Sequence, residues 1–317
     1  MKSFAIVNLG LEKVAQKEIR ELIGKNAEIS KGILIFDATK KQLETLSKAQ
    51  SIRRILIHIG TTTKIECNWK QYFNKNTSFR ILVENVKGEK NRHNIASKLG
   101  DLVFSSIKKE LDFEQKIRMK NPDIVIVVFS NHVGIDLHGE MDQRKYRLFP
   151  HAASMRGDLA YFLIRTSKFQ PNEKLLVGFC NDATLAVEAS MYVEKHSKTA
   201  HVFAFDDNIQ SVTAAKKNVK IAKQDLTISK YDLEELEVKY GHNFFDRIIF
   251  QLTKKHEKKI KELFYQVQLL LKKKATLLII SREAFNYDIP KEFTIIEKST
   301  VSKGSNSYKY ILMEKKT

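Results

Sequence analysis

Leu175-Leu-Val-Gly-Phe-Cys-Asn-Asp-Ala-Thr-Leu-Ala-Val-Glu-Ala189 passes from an apolar run, through small and polar residues, into a second apolar run with helical spacing. That is the pattern of a strand, a tight turn and a helix N-terminus. In open α/β sheets such a unit lies at the carboxyl ends of the strands, where backbone N–H groups and the helix dipole converge on a ligand. The sequence downstream keeps the same rhythm: strand Val202–Phe205, helix Asn208–Ala222, strand Phe245–Phe250, helix Lys254–Lys273, strand Ala275–Ile280. Strands alternating with helices of this length predict a parallel, doubly wound sheet. A helix over Gly157–Arg165 precedes it. Phe293–Glu297 and Tyr308–Met313, flanking Lys303-Gly-Ser-Asn-Ser307, predict a terminal antiparallel hairpin.

The first half reads differently. Phe4–Asn8, Gly32–Phe36 and Ile52–Ile59 read as strands, with helices over Leu11–Ile23 and Lys40–Ala49 between them, an α+β sandwich of about 60 residues. A second unit follows the Thr61-Thr62-Thr63 spacer: a helix near Trp69–Phe73, a strand over Phe79–Val86, a loop over Lys87–His93, a helix over Asn94–Glu110 and a strand pair at Asp123–Phe129 and His132–His138. Gly139–Pro150 reads as the connector between the halves.

Charge narrows the partners. The 317 residues hold 55 Lys and Arg against 37 Asp and Glu, a net charge of +18, which favours polyanions, although a generally basic proteome gives the same balance. Lys87, Lys90, Arg92 and His93 cluster between a strand and a helix start, where phosphates meet both side chains and backbone N–H groups. Arg144, Lys145, Tyr146 and Arg147 form a basic, aromatic segment able to stack on and neutralise an RNA strand. For both clusters solvated surface is the bland alternative. Cys67 and Cys180 give neither a disulfide framework nor a zinc spacing, and the nine His show no metal-ligand pattern. No run of 18 apolar residues exists, so the expectation is a cytoplasmic protein with no membrane partner.

These residues resemble the THUMP-domain RNA methyltransferases of the tRNA guanine-N2 type. Asn8-Leu-Gly-Leu-Glu-Lys-Val-Ala15 is similar to the opening of that family. Gly134-Ile-Asp-Leu-His-Gly-Glu140 with Arg144-Lys-Tyr-Arg-Leu-Phe-Pro-His-Ala-Ala153 is similar to its closing THUMP strand and Arg-x-Tyr-Arg linker. The resemblance implies an N-terminal ferredoxin-like domain (1–63), a THUMP domain (64–140), a linker and helix (141–170) and a Rossmann-like class I methyltransferase domain (171–317).

It also implies S-adenosylmethionine as cofactor, with Phe179, Asn181, Thr184, Asp206 and Asp225 at the family's binding positions. Here the sequence departs. The family reads Asp-Pro-Phe-Cys-Gly-Ser-Gly-Thr where this chain has Val177 to Thr184, so Asn181 and Ala183 replace two glycines that let backbone approach the cofactor. The family's catalytic Asn/Asp-Pro-Pro-Tyr is Gln251-Leu-Thr-Lys254, without the rigid turn or the aromatic that stacks on a flipped base. Both losses count against cofactor binding and leave no catalytic residue to name. The expectation is an RNA-binding protein, for tRNA, with a degenerate methyltransferase domain whose Lys254–Lys274 helix adds a basic face. Two alternatives stand beside it: an active guanine-N2 methyltransferase with divergent motifs, and a scaffold that docks a partner protein.

Overall fold

The computed structural model describes residues 1–316 except 112, 114, 152, 197, 199, 200, 283–287, 304 and 305. Its contacts separate into one unit of Met1–Val7 with Ala15–Met141, and another of Asn8–Val14 with Asp142–Thr317.

In the first unit, short alternating apolar runs pair into an eight-stranded sheet of order β2-β3-β1-β4-β8-β7-β5-β6. The strands are β1 (Lys2–Ile6), β2 (Glu28–Ser30), β3 (Ile33–Asp37), β4 (Arg54–Thr61), β5 (Ser78–Glu84), β6 (Lys116–Ile117), β7 (Ile124–Phe129) and β8 (His132–Asp136). The helices are α1 (Glu12–Ile23), α2 (Lys40–Leu46) and α3 (Glu89–Leu111). Because β4 pairs with β1 on one side and β8 on the other, the sandwich and the following unit share one sheet. Ala15 and Ile19 of α1 and Leu43 of α2 pack with Ala5, Leu34 and Ile55. Leu99, Val103 and Ile107 of α3 pack with Trp69, Phe79 and Ile126.

Two details correct the expected outline. Trp69–Gln71 is one 3-10 turn, not an α-helix, since the Trp69 and Lys70 N–H groups donate to the Glu110 carboxylate at 3.1 and 3.3 Å. And α3 starts at Glu89, so Lys90, Arg92 and His93 ride its first turns instead of a loop. Gly88, at φ +84°, ends the turn from β5, and an acidic residue at the helix start suits the dipole.

In the second unit the sheet order is β11-β10-β9-β12-β13-β15-β14. Its elements are α4 (Gly157–Thr166), β9 (Lys174–Gly178), α5 (Thr184–Lys195), β10 (His201–Asp206), α6 (Ile209–Ala222), β11 (Thr227–Lys230), α7 (Leu236–Tyr240), β12 (Phe245–Leu252), α8 (Ile260–Leu270), β13 (Leu271–Ser281), β14 (Phe293–Lys303) and β15 (Asn306–Lys315). Strands β11 to β13 run parallel, and β15 and β14 add an antiparallel pair. Leu175 and Val177 of β9 enter one core and Leu176 the other, which is why the run is continuously apolar. The Rossmann-like class is thus as expected, and β14 and β15 form the terminal antiparallel pair, residues 304 and 305 lying outside the described residues.

The expected helix over Lys254–Lys274 is divided. A 3-10 segment covers Lys254–Lys259, α8 follows, and Leu271 turns extended to start β13 opposite Phe245. Lys272 to Lys274 therefore lie on a strand, where Lys272 pairs with Asp246 at 2.7 Å. Helical spacing of lysines could not reveal this, because the β12–β13 ladder decides it.

Candidate functional site

The crevice at the carboxyl ends of β9, β10 and β12 is built from the turn Phe179–Ala183. Phe179, Asn181 and Ala183 all have left-handed backbone, with φ of 52°, 51° and 62°. The turn thus makes bends that glycine makes without strain, using side chains that cost about 1–2 kcal/mol each in that region, least for Asn. Gly178 remains glycine for a packing reason: a Cβ there would stand 2.1 Å from the Phe250 ring.

The turn's donors point back into the protein. The Asn181 N–H donates to Asp206 Oδ2 at 2.9 Å, the Ala183 N–H to the Cys180 carbonyl at 2.8 Å, and the Thr184 N–H and hydroxyl to Asp182 Oδ1 at 3.2 and 2.7 Å. Asp206 accepts a further bond from the Asn208 N–H at 3.0 Å on its other oxygen, and is 1% exposed. Burial raises its pKa, with the two N–H donors partly opposing. At Asp207 burial also opposes the charge, but Lys259 at 2.8 Å and Lys255 at 3.7 Å prevail and hold the carboxyl below its usual range. Asp225 is exposed beyond α6.

Over this turn sits His256, which the sequence reading passed over. Its ring stacks on Phe179 with centroids 3.8 Å apart and planes 7° from parallel. Nδ1 accepts the Thr253 N–H at 3.0 Å, while Nε2 is buried with no hydrogen-bond partner among the described residues. Burial, with Lys255 nearby, lowers its pKa to about 4, so the ring is neutral at pH 7. Gln251, at the end of β12, donates its amide to the Ala153 carbonyl. Beside it a cavity of about 250 Å³ is lined by Ala153, Gln251, Thr253, Ser281, Arg282 and Tyr308, among others.

The basic, aromatic segment turns inward in part. Arg144 forms a two-pronged pair with Glu188, Nε–Oε1 at 2.7 Å and Nη2–Oε2 at 3.1 Å, and the Tyr146 hydroxyl donates to the same carboxylate at 2.7 Å. Gly157 makes room, since a Cβ there would lie 2.5 Å from Arg144 Nε. Burial disfavours the Arg144 charge, but Glu188 more than offsets it and the pKa rises. Burial and Glu188 together raise that of Tyr146. Arg147 reaches Asp182 at 3.4 Å, and Lys145 is exposed. Arg144 and Tyr146, expected as RNA contacts, tie the second unit together here: Arg144 Nε and Nη2 and the Tyr146 hydroxyl all donate to a carboxylate that is itself fully buried. Lys87, Lys90, Arg92 and His93 are all exposed in the first unit.

Two domain families match the sequence: the THUMP domain over residues 63–134 and the RMKL-like methyltransferase domain over 144–269. The chain belongs to the THUMP-domain methyltransferase family. Among relatives, the tRNA (guanine(6)-N2)-methyltransferase of Methanocaldococcus jannaschii is 28% identical over 214 residues, 60% of this chain and 56% of that protein. The ribosomal RNA large subunit methyltransferase K/L of Buchnera aphidicola is 27% identical over 205 residues, 59% of this chain and 29% of that protein. The chain thus spans about half or less of the length of these curated relatives. TrmN from Thermus thermophilus matches in fold with a TM-score of 0.75 at 15% identity, covering 99% of both chains. A possible methylase from Clostridium difficile 630 does so with 0.76 at 16% identity, covering 99% of this chain and 97% of that one.

The residues expected at family positions fall into two groups. Phe179, Asn181, Thr184, Asp206 and Gln251 gather along one strand edge, whereas Asp225 is exposed outside that bonded cluster. Asp182, Asn218 and His256 complete the arrangement. Asn218, fully buried in α6, donates to the Asp182 and Phe149 carbonyls at 3.1 and 3.0 Å. The Asp-x-Thr spacing of a side-chain turn could have flagged Asp182; nothing in the sequence flags His256. Among the described residues no group of three or more His, Cys, Asp or Glu could hold a metal, and no helix is long and apolar enough to cross a membrane.

Proposed function

We propose that this chain is a cytoplasmic RNA-binding protein, with tRNA as the RNA bound, whose methyltransferase domain does not transfer a methyl group as an isolated chain. The observation that carries this reading is the self-satisfied turn after β9. Asp206, at the family's ribose-binding position, has an oxygen on each of two backbone N–H groups, and the Ala183 and Thr184 amides are also engaged. As folded, these residues do not fit S-adenosylmethionine. A cofactor would have to replace those bonds in a turn whose Asn181 and Ala183 are both buried, with the Asn181 amide held on the Phe179 carbonyl. Gln251 is likewise committed to Ala153. Phosphate contacts need no such precision, and the exposed Lys87, Lys90, Arg92 and His93 remain available for them.

The second reading is an active RNA guanine-N2 methyltransferase that uses S-adenosylmethionine through divergent motifs. The left-handed bends at residues 179, 181 and 183 and the open cavity beside Gln251 favour it, as do the names of the curated relatives. Calorimetry of the whole chain with millimolar S-adenosylmethionine separates the two, alongside a tRNA gel shift. A tRNA shift without cofactor heat supports the first reading. Saturable heat of cofactor binding overturns it in favour of the second.

A further inference from the structure

Where active relatives in the resemblance place a stacking aromatic, this chain places a turn rich in lysine. Lys254-Lys-His-Glu-Lys-Lys259 holds four Lys and one Glu at the carboxyl end of β12, which lies between the parallel strands β9 and β13, at the edge where open α/β sheets meet their ligands. Lys254 and Lys258 are exposed and make no ion pair among the described residues, while Lys259 and Lys255 are drawn to Asp207. The turn is also fixed before any ligand arrives. Thr253 and His256 close a capping box across it, and His256, 2% exposed, is pinned on the Phe179 ring. Lysines on a pre-ordered backbone lose less freedom on binding than lysines in a loose loop. Beside the turn, the cavity is lined by Thr253, by Gln251, whose amide is held on the Ala153 carbonyl, and by Arg282, whose guanidinium donates to the Tyr308 hydroxyl at 2.7 and 2.9 Å.

We propose that Lys254 and Lys258 grip the phosphodiester backbone of single-stranded RNA, with Arg282 flanking the cavity over which that strand passes. The buried His256, stacked on Phe179, serves as the anchor of this grip, and the position of the family's catalytic turn becomes a binding element. The proposal rests on the RNA-binding reading above and adds where the second unit meets the strand.

The test is filter binding of an unmodified tRNA transcript to the full chain across a salt series, for wild type, Lys254→Gln/Lys258→Gln and Lys216→Gln/Lys220→Gln. The last pair removes equal charge from exposed positions on α6. Each single-strand phosphate contact adds about 0.7 to the log–log salt slope, so the turn variant should flatten it by about 1.4, or about 25-fold in affinity per decade of salt. The α6 variant should change it little. All four lysines are exposed, so thermal unfolding should match wild type and a folding defect would be seen directly. A turn variant with wild-type slope and affinity overturns the grip while the RNA reading stands, and equal losses in both variants do the same. A wild-type chain that fails to bind the transcript removes both.

Discussion

Glu188→Gln should weaken the second unit by about 3–5 kcal/mol, the cost of leaving one member of a buried ion pair without its partner. The wild-type carboxylate is fully buried and accepts three bonds, two from Arg144 and one from Tyr146, at 2.7, 3.1 and 2.7 Å. A carboxamide has almost the same shape, but Arg144 donates to both oxygens, so its NH₂ would face a guanidinium N–H in either orientation. One donor then meets another, and the Arg144 charge stays behind in the core. Tyr146→Phe removes a single bond to the same oxygen and should cost less, about 1.5–3 kcal/mol. The single tryptophan, Trp69, lies in the first unit, so fluorescence does not report this event. Hydrogen exchange of the α4 and α5 amides does. Thermal unfolding of the second unit should shift down by about 6–20 °C for Glu188→Gln. A loss under about 1 kcal/mol would refute the argument that these side chains are internal ties, and so would a Tyr146→Phe variant that keeps its stability but loses tRNA affinity.

Acid should act on the stack at His256. Its folded pKa of about 4 lies below the ordinary 6.5, so the stabilisation is complete above 6.5 and is lost as pH falls toward 4. That difference amounts to about 3 kcal/mol. Asp206, with its raised pKa, works in the opposite sense, contributing stability at low pH that fades as pH rises through its folded value. Urea unfolding of wild type and His256→Asn between pH 7 and 4 should give a shallower acid loss in the variant, and parallel curves would contradict the assignment. Ala183→Gly should be neutral to stabilising by up to about 1 kcal/mol, because relief of left-handed strain exceeds the added freedom of the unfolded chain. A thermal unfolding midpoint lowered by several degrees would show that the Ala183 methyl earns its place by packing.

How much of this was legible beforehand depends on the reach of the interactions. The alternation from Leu175 onward fixed the Rossmann-like sheet, since strand and helix periods are local properties of the chain. The departures at Asn181, Ala183 and Gln251 to Lys254 were equally plain, as was the clustering of Lys87, Lys90 and Arg92. The helix expected from Asn94 starts instead at Glu89, because Gly88 and Glu89 set its start through one positive φ and the helix dipole, signals weaker than the apolar stripe further along.

What tertiary structure alone decided is which polar groups meet. Arg144 and Tyr146 look from the sequence like the basic and aromatic surface of an RNA linker, and only the fold brings Glu188 to them across 44 and 42 residues. His256 carries no sequence signal, yet the return of the chain after β12 lays it on Phe179 and leaves Lys254 and Lys258 facing water. The sequence by itself thus determined the sheet, the helices and the places where family residues are missing, because those follow from nearest neighbours along the chain. The partners of each charge follow from packing, since a buried carboxylate or imidazole is governed by whatever the fold sets within about 4 Å of it.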